Sequence, residues 1–391
     1  MSAARTALII GGGIAGPVTA LALQKAGIES TVFEAHPTAA DGVGATLTVA
    51  PNGMRALAVV GADKAVCAVG QPVSGTVMAD AEGDVLTSTP GLPGLPDSQT
   101  LSRSALYRAL HDHAVAQGVK IEHGKRLVEV REDPAGVTAC FADGTEATAD
   151  ILIGADGIHS TVRTLIDPAA PGPEYTGLLG FGGFVADSGV RPEPGHMTFS
   201  FGGRAFLGYW AVPDGRVCWF TSLPSAEPLT AAQVKELPAA GWLAQLRELF
   251  EGHQPGEALL AHTGADDLLC TGGMLMMPPV PRWYRGRMVL VGDSVHAPSS
   301  SSGQGASQAA ESAVELARCL RDLPDPEAAF AAYEALRRPR VESIAAAAVQ
   351  TNARKAAGAQ APAQRFFPTA EQMFGPVHRH SIDWDQPVSA A

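Results

Sequence analysis

Three glycines and an acid carry the first chemistry in the chain. Gly11, Gly13 and Gly16 follow the apolar run Ala7-Leu8-Ile9-Ile10, and Glu34 stands eighteen residues beyond Gly16. At this spacing the first glycine permits a tight turn out of a strand. The second leaves room for a pyrophosphate, and the third lets a helix lie close against a sheet. Ile14 and Ala15 complete the turn, and Pro17 falls where a missing N–H costs nothing. The free amides of the helix start present roughly half a positive charge to the phosphates. Glu34 is spaced to accept from ribose hydroxyls, in charge-assisted bonds worth roughly 1.5–3 kcal/mol each. The pattern reads as a dinucleotide site and does not distinguish nicotinamide from flavin.

Two further carboxylates stand at strand ends. Asp156 lies in Gly154-Ala155-Asp156-Gly157, which runs on to Arg163; Asp293 follows Gly292. After Asp293 come His296, Pro298, Ser299 to Ser302, and Gly303-Gln304-Gly305, where a second glycine-rich helix start begins before Ala306. Its free amides would suit a group that becomes negative, such as the edge of a reduced flavin ring. Arg103 occupies the first turn of a helix capped by Ser102, where the dipole disfavours a cation, so a negative partner such as a phosphate is expected there. The Pro/Gly/Ala-rich stretch from Ala35 through Gly44 and Ala45 is long enough to wrap the far end of an extended cofactor.

Positioning these residues takes alternating strands and helices. Strands are expected at Ala7–Ile10, Ile28–Phe33, Val119–Val130, Val137–Phe141, Ala147–Ile153 and Arg287–Val291, with a hairpin joining Thr76–Ala79 to Asp84–Ser88 across Glu82-Gly83. From Tyr175 to Leu223 the texture turns antiparallel and aromatic. One sheet face there must be core, and the other could wall an apolar substrate cavity; Phe184, Phe201, Tyr209 and Trp219 are the candidates. Helices are expected at Ala231–Phe250, interrupted at Pro238, at Ala306–Leu320, and from Pro326 to about Ala357, broken near Pro339. The tail, with Pro362, Pro368, Pro376, Phe366, Phe367, Phe374 and Trp384, reads as irregular but packed.

Composition narrows the function. A chain of 391 residues has ample core for one large or two interleaved domains. A net charge of -12 with no Lys/Arg run argues against nucleic acid and anionic membranes. Five scattered cysteines without a CxxC suit reduced thiols and a cytoplasmic protein. The first strand begins close to Met1, so no leader is expected, and no window is long and apolar enough to span a bilayer. The pairs His111/His113 and His378/His380 lack a third ligand, so no metal is expected.

The three junctions together, with Arg103 in Ser-Arg-x-x-Leu-x-x-x-Leu, resemble the single-component FAD-dependent aromatic hydroxylases, the para-hydroxybenzoate hydroxylase-like flavoprotein monooxygenases. The resemblance covers roughly residues 5 to 350. It implies an α/β fold: a Rossmann-like FAD domain from residues 1–72, 97–172 and 275–325, interleaved with an antiparallel substrate sheet from 73–96 and 173–274. A C-terminal helix and tail complete it at 326–391. It further implies tightly but non-covalently bound FAD, with Glu34 at the adenosine ribose, Leu127 near adenine, Arg103 and Asp156 at the pyrophosphate and Asp293 at the ribityl chain. The backbone from Pro298 to Ala306 would line the ring, with Pro298 and Ser299 beside it.

The implied reaction uses transient NAD(P)H and O2 to hydroxylate or epoxidise an aromatic or polycyclic molecule through a flavin C4a-hydroperoxide. The flavin carries that chemistry, so no acid/base pair is required of the chain. A monomer or homodimer is expected. Departures from the family pattern are Ser294 and Val295, where two alanines are usual, the serine-rich loop before Gly303, and the absence of a thioredoxin-like extension. Alternatives are a flavin-dependent reductase of the same fold or a non-catalytic FAD-binding protein. Halogenation is disfavoured because no Trp-x-Trp pair occurs.

Overall fold

The computed structural model describes residues 4–38, 46–202, 205–357 and 369–389. Its first layer is a six-stranded sheet in the order Tyr284–Arg285, Met288–Leu290, Ile151–Gly154, Thr6–Ile10, Glu29–Glu34, Lys120–His123. Every neighbouring pair is parallel except the edge pair formed by Tyr284–Arg285 and Met288–Leu290. The strands Ile151–Gly154 and Met288–Leu290 are buried throughout, as a parallel sheet covered on both faces requires. The helices Ala15–Lys25 and Gly305–Asp322 pack against one another within the same core as these strands.

Two expected strands are each two shorter ones. Val119–Val130 divides into Lys120–His123, in the parallel sheet, and Leu127–Asp133, in a three-stranded antiparallel sheet with Gly136–Phe141 and Glu146–Ala149. Ala147–Ile153 likewise divides between Glu146–Ala149 and Ile151–Gly154. The breaks fall where the chain leaves one sheet for another, a tertiary event that alternation does not reveal.

The second layer is a seven-stranded sheet in the order Leu268–Met276, Glu174–Val185, Val217–Pro224, Ala205–Ala211, His196–Gly202, Gly75–Ala79, Val85–Pro90. The hairpin of the last two strands is present and joins the sheet through a parallel pairing of Gly75–Ala79 with His196–Gly202. The helices Ala231–Glu236, Ala239–Leu249 and Gln254–Ala261 cover one face of this sheet, burying Trp242, Leu246, Phe250 and Leu259 against Leu179, Phe181 and Leu207.

The helix Pro326–Ala357 runs unbroken through Pro339, contrary to expectation. Pro339 removes one N–H, but Arg337 and Arg340 on either side of it bind the buried Glu311 carboxylate and hold the segment helical. The tail also contains a helix, Ala370–His378, opened by a reciprocal cap between Thr369 and Gln372. Pro362, Phe366, Phe367 and Pro368 lie outside the described residues.

Candidate cofactor and substrate site

Parallel pairing brings four strand ends to one rim. Ile10 is in register with both Phe33 and Gly154, and Gly154 with Leu290. Gly11, Glu34, Ala155 and Val291 therefore leave the sheet side by side, at the carboxyl ends where open α/β sheets hold ligands.

The three glycines do different things. Gly11 has φ 106°, and a Cβ there would overlap the Ala155 carbonyl. A Cβ on Gly16 would overlap the Gly11 carbonyl, so the helix lies against the turn only because that atom is missing. At Gly13 a Cβ would meet no described atom within 4 Å, and φ is not positive. Neither fold nor backbone explains that glycine, and the space above it is what a bound pyrophosphate would fill. Ile14 precedes the helix and Ala15 begins it.

Glu34 is oriented by two amides: the Gly12 N–H donates to Oε2 at 2.7 Å and the His36 N–H to Oε1 at 2.8 Å. Lone pairs remain for hydroxyl donors. The Lys125 N–H donates to the Glu34 carbonyl at 2.8 Å, so the turn leading to buried Leu127 passes beside Glu34 and Ala35. Gly44 and Ala45 lie outside the described residues.

Arg103 begins its helix exposed, and no described residue forms a hydrogen bond or ion pair with its guanidinium. Burial raises the pKa of the Asp293 carboxyl, and the Arg103 charge opposes that rise. The Asp293 carboxylate accepts no hydrogen bond from any described residue. Among the described residues, a cation and a carboxylate that lack hydrogen-bond partners thus lie near enough for one charge to act on the other.

Asp156 behaves otherwise. Its carboxylate accepts from the Thr161 and Val162 amides at 2.7 and 3.1 Å and from the Ser160 hydroxyl. The side chain caps the helix Thr161–Ile166. Arg163, buried at 3% exposure, donates to the Ser294 and Ile158 carbonyls, both at 2.9 Å. The Ser294 hydroxyl reaches the Gly154 and Val291 carbonyls at 2.7 and 2.8 Å. These contacts clamp the second and third junctions together, which gives the unusual Ser294 a structural purpose.

Past Asp293, Pro298 is half-buried and Ser299 fully buried. The Ser299 hydroxyl donates to Asn352 Oδ1 at 3.0 Å and accepts from the Ser301 N–H, so it anchors the loop. Gly303 is left-handed at φ 62°, and Gly305 and Ala306 open an eighteen-residue helix with its amides toward the rim.

The substrate candidates separate by sheet face. Tyr209 and Trp219 point into the helix-covered core at 6% and 1% exposure, so they are not cavity residues. Strand alternation puts Phe199 and Phe201, Phe206, Trp210 and Phe220 on the opposite face, with Phe184 packed on the same small cluster. Their rings lie 5.3–6.3 Å apart, Phe206 touching Phe199, Phe201 and Phe220. A Cβ on Gly208 would overlap the Phe220 ring, so that glycine makes the space. Lys355, which nothing in the sequence singled out, ties this face to the serine loop: its Nζ sits 3.8 Å from the Phe206 ring centroid and donates to Ser301 Oγ at 3.2 Å. A surface depression of about 460 Å³ beside Arg247, Glu248 and Glu257 is on the far, helix-covered side and holds none of these residues.

Among the described residues no group of three or more His, Cys, Asp and Glu is placed to hold a metal, and no helix is long and apolar enough to cross a membrane. None of the five cysteines forms a disulfide with another.

Comparison with known proteins agrees with this geometry. Residues 4–204 match the family model described as an FAD binding domain. The chain is 31% identical over 360 residues to an aurachin C monooxygenase/isomerase of Stigmatella aurantiaca, covering 88% of each. It is 32% identical to a 3-amino-4-hydroxybenzoate 2-monooxygenase of Streptomyces cremeus, covering 86% of this chain and 84% of that one. A Klebsiella pneumoniae protein crystallised with FAD and uric acid superposes with a TM-score of 0.78 at 28% identity, covering 90% of this chain and 88% of that one.

Proposed function

This chain belongs to the FAD-binding-domain family of FAD-dependent aromatic hydroxylases, and we propose that it is a monooxygenase that spends a nicotinamide nucleotide and O2 on a planar aromatic or polycyclic substrate. The observation that carries the reading is that Arg103 and Asp293, neither hydrogen-bonded to any described residue, lie near enough for the Arg103 charge to act on Asp293, while no described atom explains the glycine at Gly13. FAD fits them. The Gly11–Ala15 turn and Arg103 would hold its pyrophosphate, Glu34 the adenosine ribose, Leu127 the adenine side and Asp293 the ribityl hydroxyls. The Pro298–Ala306 backbone would border the ring, with Asp156, Ser294 and Arg163 fixing the junctions behind it.

FAD, when bound, accepts hydride equivalents from the nicotinamide and activates O2 for transfer. The chain's part is to orient the substrate and exclude water. The amides at Gly305 and Ala306 offer the positive end of a long helix to charge developing on the ring. The phenylalanine face supplies a dry wall against which a planar substrate stacks. Among the described residues, the side chains around that wall offer no acid/base pair, so selectivity rests on shape, stacking and the polar groups at its edge. One oxygen atom of O2 enters the substrate and the other leaves as water, with NAD(P)H giving two electrons. Free thiols throughout suit a reducing cytoplasm.

The test is direct. Purified protein should show a visible flavin spectrum, NAD(P)H should bleach it, and aromatic candidates should accelerate the bleaching. Product from labelled O2 should carry one labelled atom; unlabelled product with every accelerating compound would reject oxygen transfer.

A further inference from the structure

Among the described residues, Lys355 is a charged group near the proposed cavity that FAD binding leaves unused. It projects from the last turns of Pro326–Ala357, over Phe206 and against Ser301. No carboxylate among the described residues lies within ion-pair distance of it, and Asp41 is the only side-chain carboxylate outside them. Burial pushes its ammonium down to about 8, and no neighbouring negative charge offsets the shift. A hydroxyl and a ring face compensate a desolvated ammonium only partly. The same helix has already secured the loop one turn earlier, through Asn352 and Ser299, so Lys355 is not needed as an anchor.

We infer that Lys355 is the charge partner of the substrate, and that the molecule held between the phenylalanine wall and the serine loop is an anionic aromatic bearing a carboxylate. The inference rests on the reading of this face as the substrate wall. Stacking on Phe206 supplies area without direction. A compact ammonium on a flexible stem, free to turn its protons from Ser301 to an anionic oxygen, supplies the direction and discriminates against neutral rings of the same shape.

Matched pairs of probes test it on the FAD-loaded protein at pH 7, where the ammonium is charged: 3-amino-4-hydroxybenzoate against its carboxamide, and 6-hydroxynicotinate against its carboxamide. Affinity is read from perturbation of the flavin absorbance. Wild type should bind at least one acid roughly ten- to hundredfold tighter than its amide, the range of one charge-assisted hydrogen bond. Lys355→Met should bring that pair within about threefold at unchanged FAD affinity, and Lys355→Arg should restore most of the preference. If Lys355→Met fails to fold, Lys355→Gln, which keeps a donor for Ser301, makes the same comparison. Equal affinity for acid and amide in wild type, binding of none of the four probes, or a preference that survives loss of the charge would each overturn the proposal. A protein that takes up no FAD fails earlier, on its spectrum, and sinks the cofactor reading separately.

Discussion

Substitution at two glycines of one turn separates what FAD requires from what the fold requires. Gly13→Val adds three carbons where no described atom lies within 4 Å of the Cβ and φ is not positive. The apoprotein should therefore unfold within about 0.5 kcal/mol of wild type. Those carbons instead occupy the space above the helix start. Losing two amide–phosphate bonds at roughly 1.5–3 kcal/mol each weakens FAD by about 3–6 kcal/mol, or roughly a hundredfold to ten-thousandfold. Gly11→Ala does the reverse. At φ 106° a Cβ is strained by about 1–3 kcal/mol, and its overlap with the Ala155 carbonyl forces two adjacent strands apart. Its apoprotein should lose at least about 3 kcal/mol. Urea unfolding of the apoproteins and fluorescence titration with FAD measure both quantities. A yellow Gly13→Val protein with near-wild-type affinity refutes the placement of the pyrophosphate; equal destabilisation by the two substitutions refutes the division of labour.

Other perturbations probe the same geometry. Arg103→Ala should leave apo stability within about 0.5 kcal/mol, because the side chain is exposed and has no partner among the described residues, yet weaken FAD roughly tenfold or more, as equilibrium dialysis would show. Phe220→Leu should weaken aromatic probes several-fold with little change in Tm. Trp219→Leu, on the other face, should cost about 2–4 kcal/mol of stability and leave probe affinity alone; the opposite pattern would invert the faces. Glu311→Gln strands Arg337 in the core and should cost about 3–5 kcal/mol in urea unfolding. Burial holds His296 down to about 3 in the folded state, below its unfolded value, so the unfolded chain binds more protons as pH falls. Stability should drop between about pH 6.5 and 3 with a slope of up to about 1.4 kcal/mol per unit, and His296→Gln should flatten that slope.

The cofactor half of the site was legible because its requirements are local. A turn that needs Gly11, a close helix that needs Gly16 and a strand end that presents Glu34 all lie within one stretch, and parallel pairing must bring Asp156 and Asp293 to the same rim. What stayed hidden depended on longer-range facts. Asp156 can serve a ligand or cap its own helix, and only the position of the Thr161 and Val162 amides decides between them. Tyr209 and Phe206 belong to one strand with indistinguishable composition; which face meets the helices is set by Trp242 and Leu246, far along the chain. The tail helix did leave a trace, Thr369 three residues before Gln372, while Lys355 left none, being one lysine on a long helix.

The charges buried behind the rim explain how so open a set of strand ends keeps its shape. Glu311 Oε1 accepts from Asn52 Nδ2 at 2.7 Å and from Arg340 at 2.9 Å, and Oε2 from Arg337 and Arg340 at 2.6 and 2.8 Å. Those cations hold its carboxyl down to about 2 in spite of burial. An apolar cluster of equal volume would stabilise the domain as well or better, so stability alone does not account for three polar side chains meeting on one carboxylate. Apolar surfaces, however, tolerate sliding, and these bonds do not. Asn52 also donates to Gln304 Oε1 at 2.9 Å, immediately before the Gly305–Asp322 helix, and Arg340 donates to the Val377 carbonyl of the tail helix at 2.9 Å. A shift of the Gly305 helix by one residue, about 1.5 Å, would break the Glu311 bonds together, whereas the cofactor amides need placement within a few tenths of an ångström. The network is therefore best understood as a register device: it costs desolvation, and it fixes the helix start to the Pro51–Val59 helix, to the Pro326–Ala357 helix and to the tail at once.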